Sequence, residues 1–225
     1  RDTVGDWGIA NTGVAWRLTT TTQPTNNAWN HIVIVRSGTG TNQTSIFLNG
    51  VRVANGTVSD SFTATARQIS TSANSVNGYM SDMRLVKGTA VYDPTQTTLT
   101  MPTSPVTAIS GTSLLLNCTN AGIYDAAVLN DLTTVGDAKV STAQAKWGGS
   151  SMAFDGTGDW LYTPSKSITS MGGDFTVEGW VYLSSTAAAW PVCTIGDSSG
   201  ATGLELYRAT STGKWRVYSN NVSQI

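Results

Sequence analysis

DFTVEGWVYLSS, residues Asp174 to Ser185, is the stretch on which the reading of this chain turns. Phe175, Val177, Gly179, Val181 and Leu183 fall on one side of a period-two pattern, and Thr176, Glu178, Trp180 and Tyr182 on the other. Successive side chains of an extended backbone point to opposite sides, so this alternation predicts a strand with two chemically different faces.

The segments around it read the same way. KWGGSSMAFDGTGDWLYTP, Lys146 to Pro164, carries two strand signals around a DGTGD turn, and Ser113 to Asn117 (SLLLN) is a short apolar strand. Asn120 to Asp137 reads as a loop, and Thr194 to Asn221 supplies further short strands.

Nearer the start, Val14, Trp16 and Leu18 alternate with small or polar residues. Two β-branched runs, Ile32 to Arg36 and Thr44 to Leu48, flank a Gly/Thr/Asn turn and predict a hairpin. Asn49-Gly50 follows at once; both central residues of a type I′ turn need positive φ, so a third antiparallel strand starts at Val51. NGYMSDMRLVKG, Asn77 to Gly88, adds another strand, after a Ser/Thr/Ala-rich stretch from 59 to 76.

Between these two β-rich parts lies DPTQTTLTMPTSPVTAISGT, Asp93 to Thr112. Pro94, Pro102 and Pro105 each remove a backbone donor and fix φ, and no helical periodicity surrounds them, so this seam runs extended.

Charged residues make up 12% of the 225, about half of the roughly 25% usual in soluble domains, so hydroxyls and amides solvate the surface. With 13 basic and 14 acidic residues the chain has no basic footprint, which argues against nucleic-acid binding. No apolar run approaches the ~20 residues that span a bilayer, so membrane insertion is not expected. Arg1 stands in place of an initiator Met, which implies that the chain is part of a longer one. Cys118 and Cys193 sit in apolar alternating runs, where buried free thiols are expected over a disulfide.

Several motifs together carry a resemblance. LLLN at Leu114, KWGGSSMAFDGTGDWL at Lys146 and GDFTVEGWVY at Gly173 resemble the first half of a laminin-G-like, concanavalin A-like jelly roll. WNHIVIVR at Trp29, IFLNGVRVANG at Ile46 and NGYMSDMRLVKGTAVYDP at Asn77 resemble its second half, so the halves come in reversed order. The resemblance implies an all-β, antiparallel β-sandwich, with 1–93 as second half, 94–112 as Pro/Thr-rich linker and 113–225 as first half. Either the chain closes on itself as one permuted domain, the preferred reading, or the halves belong to successive repeats. Trp16 and Trp215 stand in similar Gly/Trp-Arg contexts 199 positions apart, which suits an internal repeat.

Folds of this kind include retaining glycosidases, whose chemistry needs two closely spaced carboxylates. Glu178 and Glu205 are the only glutamates, and Glu178 has no acidic partner two positions on, so an enzyme is not expected. His31, the single histidine, lacks an accompanying activated serine motif. Related lectin domains hold Ca²⁺ at the rim, which makes Asp82, Asp155 and Asp159 candidate ligands and Ca²⁺ a possible cofactor.

Sugar rings stack their C–H faces on aromatic side chains, which singles out Trp160, Tyr162 and Trp180, with Glu178 beside them, as ligand-binding candidates; Trp7 and Trp190 are further ones. Trp147, next to Gly148-Gly149, reads as structural. The expected function is a non-enzymatic, lectin-like module of a repetitive virion or extracellular surface protein. Its expected partners are a glycan or host surface receptor and neighbouring copies of itself. The phrasing is similar to laminin-G-like repeats in marine phage tail-fibre and structural proteins. A purely architectural repeat and a polysaccharide-degrading enzyme are the alternatives.

Overall fold

The computed structural model describes residues 7–20, 22–62, 67–69, 76–118, 132–163, 173–184, 190–196, 203–208 and 215–219. Among them are fifteen strands and no helix. In chain order they are β1 (Trp7–Thr20), β2 (Trp29–Arg36), β3 (Thr44–Leu48), β4 (Val51–Gly56), β5 (Arg67–Ile69), β6 (Asn77–Lys87), β7 (Thr112–Leu116) and β8 (Thr133–Val135). After these come β9 (Lys139–Ser141), β10 (Ser151–Asp155), β11 (Trp160–Tyr162), β12 (Phe175–Leu183), β13 (Trp190–Gly196), β14 (Gly203–Arg208) and β15 (Trp215–Ser219).

They form two antiparallel sheets. One runs β1-β15-β14-β13-β5-β11-β8; the other runs β4-β3-β2-β12-β6-β10-β9, with β7 also paired to β6. Strands from both sides of the seam alternate in the second sheet, where β12 lies between β2 and β6 over its whole length. The Asn49-Gly50 turn has φ of 51° and 80°, as a type I′ hairpin requires. β5, β8 and β9 are three-residue strands that the sequence reading passes over; β8 falls where a loop was expected. They are too short for a periodicity to register. The strands that carry the two Trp-Arg pairs, β1 and β15, lie side by side, Trp16 pairing with Tyr218.

Residues of both sheets meet in one apolar layer. Ile32, Ile34, Ile46, Met80, Leu85, Leu114, Met152, Phe175, Val177 and Val181 come from the second sheet; Ile69, Leu161 and Cys193 come from the first. Cys118 and Cys193 are both buried free thiols, as expected. Arg36 plugs one end of this layer. It is fully buried, donates to the carbonyls of Asp60 (2.7 Å) and Gly173, and lies over the rings of Phe62 and Phe175.

The second sheet is covered on its other side too. Val33, Val35 and Phe47 pack there against Ala90, Tyr92 and Leu99, which belong to the seam and its approach. The Pro/Thr-rich segment is therefore strapped across the sheet. Pro94 O accepts from Ser45 Oγ at 2.6 Å, Arg52 donates to Thr95 O at 2.8 Å, and Leu99 N donates to Gly50 O at 2.8 Å. A segment lacking amide donors at its prolines can still be held this way, because its carbonyls remain acceptors.

Candidate functional site

The outer face of the second sheet depends on one extra residue. In β6, Arg84 pairs with Glu178 and Ser81 with Trp180, so Asp82 and Met83 together oppose Gly179 alone. This is a β-bulge, with Asp82 in the left-handed region at φ 52°. Without it Ser81 and Arg84, three apart, would point to opposite faces; with it both point outward, while Met80 and Met83 stay in the core.

Arg84 thereby reaches Glu178. Arg84 Nε donates to Glu178 Oε1 at 2.7 Å, Arg84 Nη2 forms an ion pair with the same oxygen, and Tyr92 Oη donates to Oε2 at 2.7 Å. His31 Nε2 lies 3.6 Å from Oε2, beyond hydrogen-bond length but close enough to act on the charge. Burial pushes the Glu178 carboxyl up, but His31, Tyr92 and Arg84 outweigh it and hold it below the usual carboxylate range. Tyr92 is pushed up, first by burial and then by the Glu178 charge. Arg84 also donates to Thr107 O at 2.8 Å, so the buried ion pair clamps the seam at two points.

The same outer face continues along β12 to Trp180, which is 5% exposed. Its ring lies 5.0 Å from that of His31. Lys146 Nζ sits 3.8 Å above it, and Trp147 meets it edge to face at 6.4 Å. Trp180 and Glu178 are thus both enclosed, and neither offers an open ligand surface as it stands.

The next row is open. Tyr182 pairs with Tyr79 on one side and with Trp29 on the other. Their rings meet edge to face, at 5.6 Å for Tyr79–Tyr182 and 5.7 Å for Trp29–Tyr182, and all three are half-buried. Beside Tyr79 opens a polar groove of about 330 Å³, lined among others by Asn77, Asp137, Lys139, Ser141, Asp155 and Ser184. Gly78 permits the close pairing at this end, because a Cβ there would collide with Tyr182 O.

Sequence reading places Tyr182 on this face but not Tyr79 or Trp29 beside it. Each carries only a strand signal, and the register that brings residues 29, 79 and 182 into line is long-range. Trp160 and Tyr162 stand elsewhere. Leu161 between them enters the core from β11 of the first sheet, so they point out of the opposite side of the sandwich, half-exposed, with rings 5.1 Å apart. The four ligand-binding candidates are therefore split between the two outer faces. The side chains of Trp7 and Trp190 lie outside the described ones.

Asp155 and Asp159 work as turn scaffolding. Asp159 is fully buried; its Oδ2 accepts from Asp155 N at 2.8 Å and its Oδ1 from Asp137 N. Asp155 Oδ1 accepts from Thr157 N at 2.7 Å. Gly136 is required beside them, since at φ 72° a Cβ would strike Asp159 Oδ1 and Gly158 O. Asp82 sits five residues along β6 from Asn77, the partner of Asp155. Its Oδ2 accepts from Ser81 Oγ at 3.0 Å, and burial, outweighing the hydrogen bonds from Ser81 and the Val106 backbone, raises its pKa to about 6. Ca²⁺ takes six to eight oxygens, and among the described residues no three His, Cys, Asp or Glu side chains gather. The three aspartates do not fit one calcium centre.

A family model described as the concanavalin A-like lectin/glucanases superfamily matches residues 2–90. No curated protein and no solved structure matches the chain. The matched span carries β1 to β6, including Trp29 and Tyr79 of the open row and Arg84 of the buried pair. Two antiparallel sheets around one core make this chain an all-β sandwich, and the match over residues 2–90 supports a concanavalin A-like fold and, at that coarse level, a carbohydrate-binding or structural module.

Proposed function

We propose that this sandwich is a non-enzymatic glycan-binding module, with its sugar seated on the Trp29–Tyr182–Tyr79 row and in the polar groove beside it. The observation that carries this reading is the row itself: three half-buried rings in cross-strand register beside amide, hydroxyl, carboxylate and ammonium groups. Aromatic faces and edges take the C–H surface of a pyranose, and the polar lining takes its hydroxyls. The open groove suits a chain-like ligand entering from the side.

The absence of catalysis is part of the proposal. A retaining or inverting glycosidase needs one carboxyl held protonated as general acid and a second across the scissile bond. Glu178 is held ionised, and its neighbours are a guanidinium, a phenol and an imidazole. In a virion or extracellular surface protein, the phage tail-fibre setting among them, such a module would recognise a host-surface glycan. The low charge content and the Thr/Ser/Asn-rich surface suit that setting.

A glycan-array screen of the purified chain, repeated with Tyr182→Ala and with a chelator, tests this. Specific binding that Tyr182→Ala abolishes and the chelator leaves intact is the expected result. Binding that survives Tyr182→Ala would remove the sugar from this row. Release of reducing ends from a bound polysaccharide would overturn the non-enzymatic reading.

A further inference from the structure

We infer that Lys146 and Trp147 form a lid over a second row of the same groove, and that lifting it extends the sugar platform to Trp180. The inference rests on the glycan-binding reading for its ligand and on the outer face of the second sheet for its geometry. Along β12, Trp180 lies one row from Tyr182, about 7 Å at the rise of an extended chain. It is in register with Ser81 on one side and His31 on the other. Ser141, which already lines the open groove, pairs with Ser151 of β10. Groove and covered row are therefore neighbouring stretches of one surface, separated by what lies on Trp180.

What lies on it is seated by ring contacts. Lys146 Nζ stands 3.8 Å from the Trp180 ring centroid and 4.8 Å from that of Trp147, and the two indoles meet edge to face. The closed arrangement seals polar groups it does not satisfy. Trp147 Nε1 and Trp180 Nε1 are buried without a hydrogen-bond partner. An indole N–H can only donate, and leaving such groups unpaired in the interior disfavours the closed form. Sugar hydroxyls are the acceptors these donors lack, and the freed Trp180 face would receive the apolar side of the ring.

The loop is also built to move. Its ends are pinned, Ser151 Oγ donating to Gln144 O at 2.7 Å and Ser150 Oγ to Cys118 O at 2.8 Å. Between Trp147 and the second pin come Gly148 and Gly149, both left-handed at φ 64° and 81°, with nothing within 4 Å of where a Cβ would stand. Such a pair can change φ and ψ without striking the sheet.

The test uses the full chain labelled with 5-fluorotryptophan, the signals of residues 147 and 180 being assigned with Trp147→Phe and Trp180→Phe. Exchange broadening of both signals is expected, with a solvent isotope shift at Trp180 that grows in Trp147→Ala. Sharp signals and a Trp180 shielded in both proteins would overturn the lid. Lys146→Ala, which removes the ammonium over the Trp180 ring and leaves both indoles, gives the same readout should Trp147→Ala fail to fold. Cellobiose and cellohexaose then probe length: lid removal should tighten cellohexaose by about three- to tenfold, the worth of one added aromatic contact, and leave cellobiose unchanged. Equal affinities in the two proteins would overturn the extension while the open row stands. Exchange at the lid with neither sugar bound would overturn the sugar platform and leave the lid.

Discussion

Arg84 and Glu178, 94 residues apart, meet on the outer face of the second sheet with Arg84 Nε 2.7 Å from Glu178 Oε1. They meet there because the bulge at Asp82 turns Arg84 outward. The pair is buried, and the chain that buries it is the seam, whose Tyr92 and Thr107 approach are bound by the same two side chains. The clamp therefore closes only when strand register, bulge and strap are all in place.

Removing one member of this pair leaves a buried charge alone. Arg84→Met should destabilise the protein by about 3–5 kcal/mol, whereas Arg84→Met with Glu178→Leu should recover much of that loss. Urea unfolding of the two variants checks the ordering. A double variant no more stable than the single one would mean that the strap, and not the stranded charge, carries the cost.

Two carboxyls give the acid side of the stability curve opposite slopes. Glu178 titrates lower in the fold than in the unfolded chain, so its contribution is present above the ordinary Glu value and lost as pH falls through its folded pKa. Asp82 is raised from 3.8 to about 6, so the folded state holds the extra proton between those values. Stability from Asp82 accordingly falls as pH rises from about 4 to 6 and stays low above. Asp82→Asn keeps the shape, is neutral, and tolerates φ 52°. It should raise Tm at pH 8 by about 2–4 °C, on the order of 1 kcal/mol, and leave Tm near pH 4 almost unchanged. Thermal melts across this range check the sign.

Gly78→Ala places a methyl against Tyr182 O, where backbone of β12 has no room to yield. A loss of at least about 2 kcal/mol is expected, with the ring row disturbed at its centre. Chemical denaturation measures the loss, and the ring-current-shifted signals of Tyr79 and Tyr182 report the row. Unchanged stability would show that the strands can separate locally at this end.

Cys118 is buried and its thiol is pushed up to about 12, first by burial and then by the Asp82 charge. Cys193 is buried in the same core. Neither should react with a thiol reagent in the native protein, and both should react together on unfolding, since the thiolate is the reactive form. Rapid labelling of one thiol under native conditions would reveal local opening around it.

The alternation from Phe175 to Leu183, the Asn49-Gly50 turn and the apolar run Leu114–Leu116 are local signals, and each appears in the structure where the sequence puts it. They follow from the period of an extended backbone and the sterics of positive φ, which no distant residue can alter. The strand faces of β12, with Glu178, Trp180 and Tyr182 together on one side, were legible for the same reason. Which of those three is open was not. Tyr92 covers Glu178, Lys146 and Trp147 cover Trp180, and only Tyr182 joins an open row, because coverage depends on segments tens of residues away. The short strands β5, β8 and β9 likewise exist through pairing alone. By itself the sequence determined the strands, their turns and their two-faced character, through local backbone sterics and side-chain alternation. Tertiary structure alone decided the register that lines up Trp29, Tyr182 and Tyr79, and the strap and the Lys146–Trp147 pair that cover the rest, because these come from contacts between residues far apart in the chain.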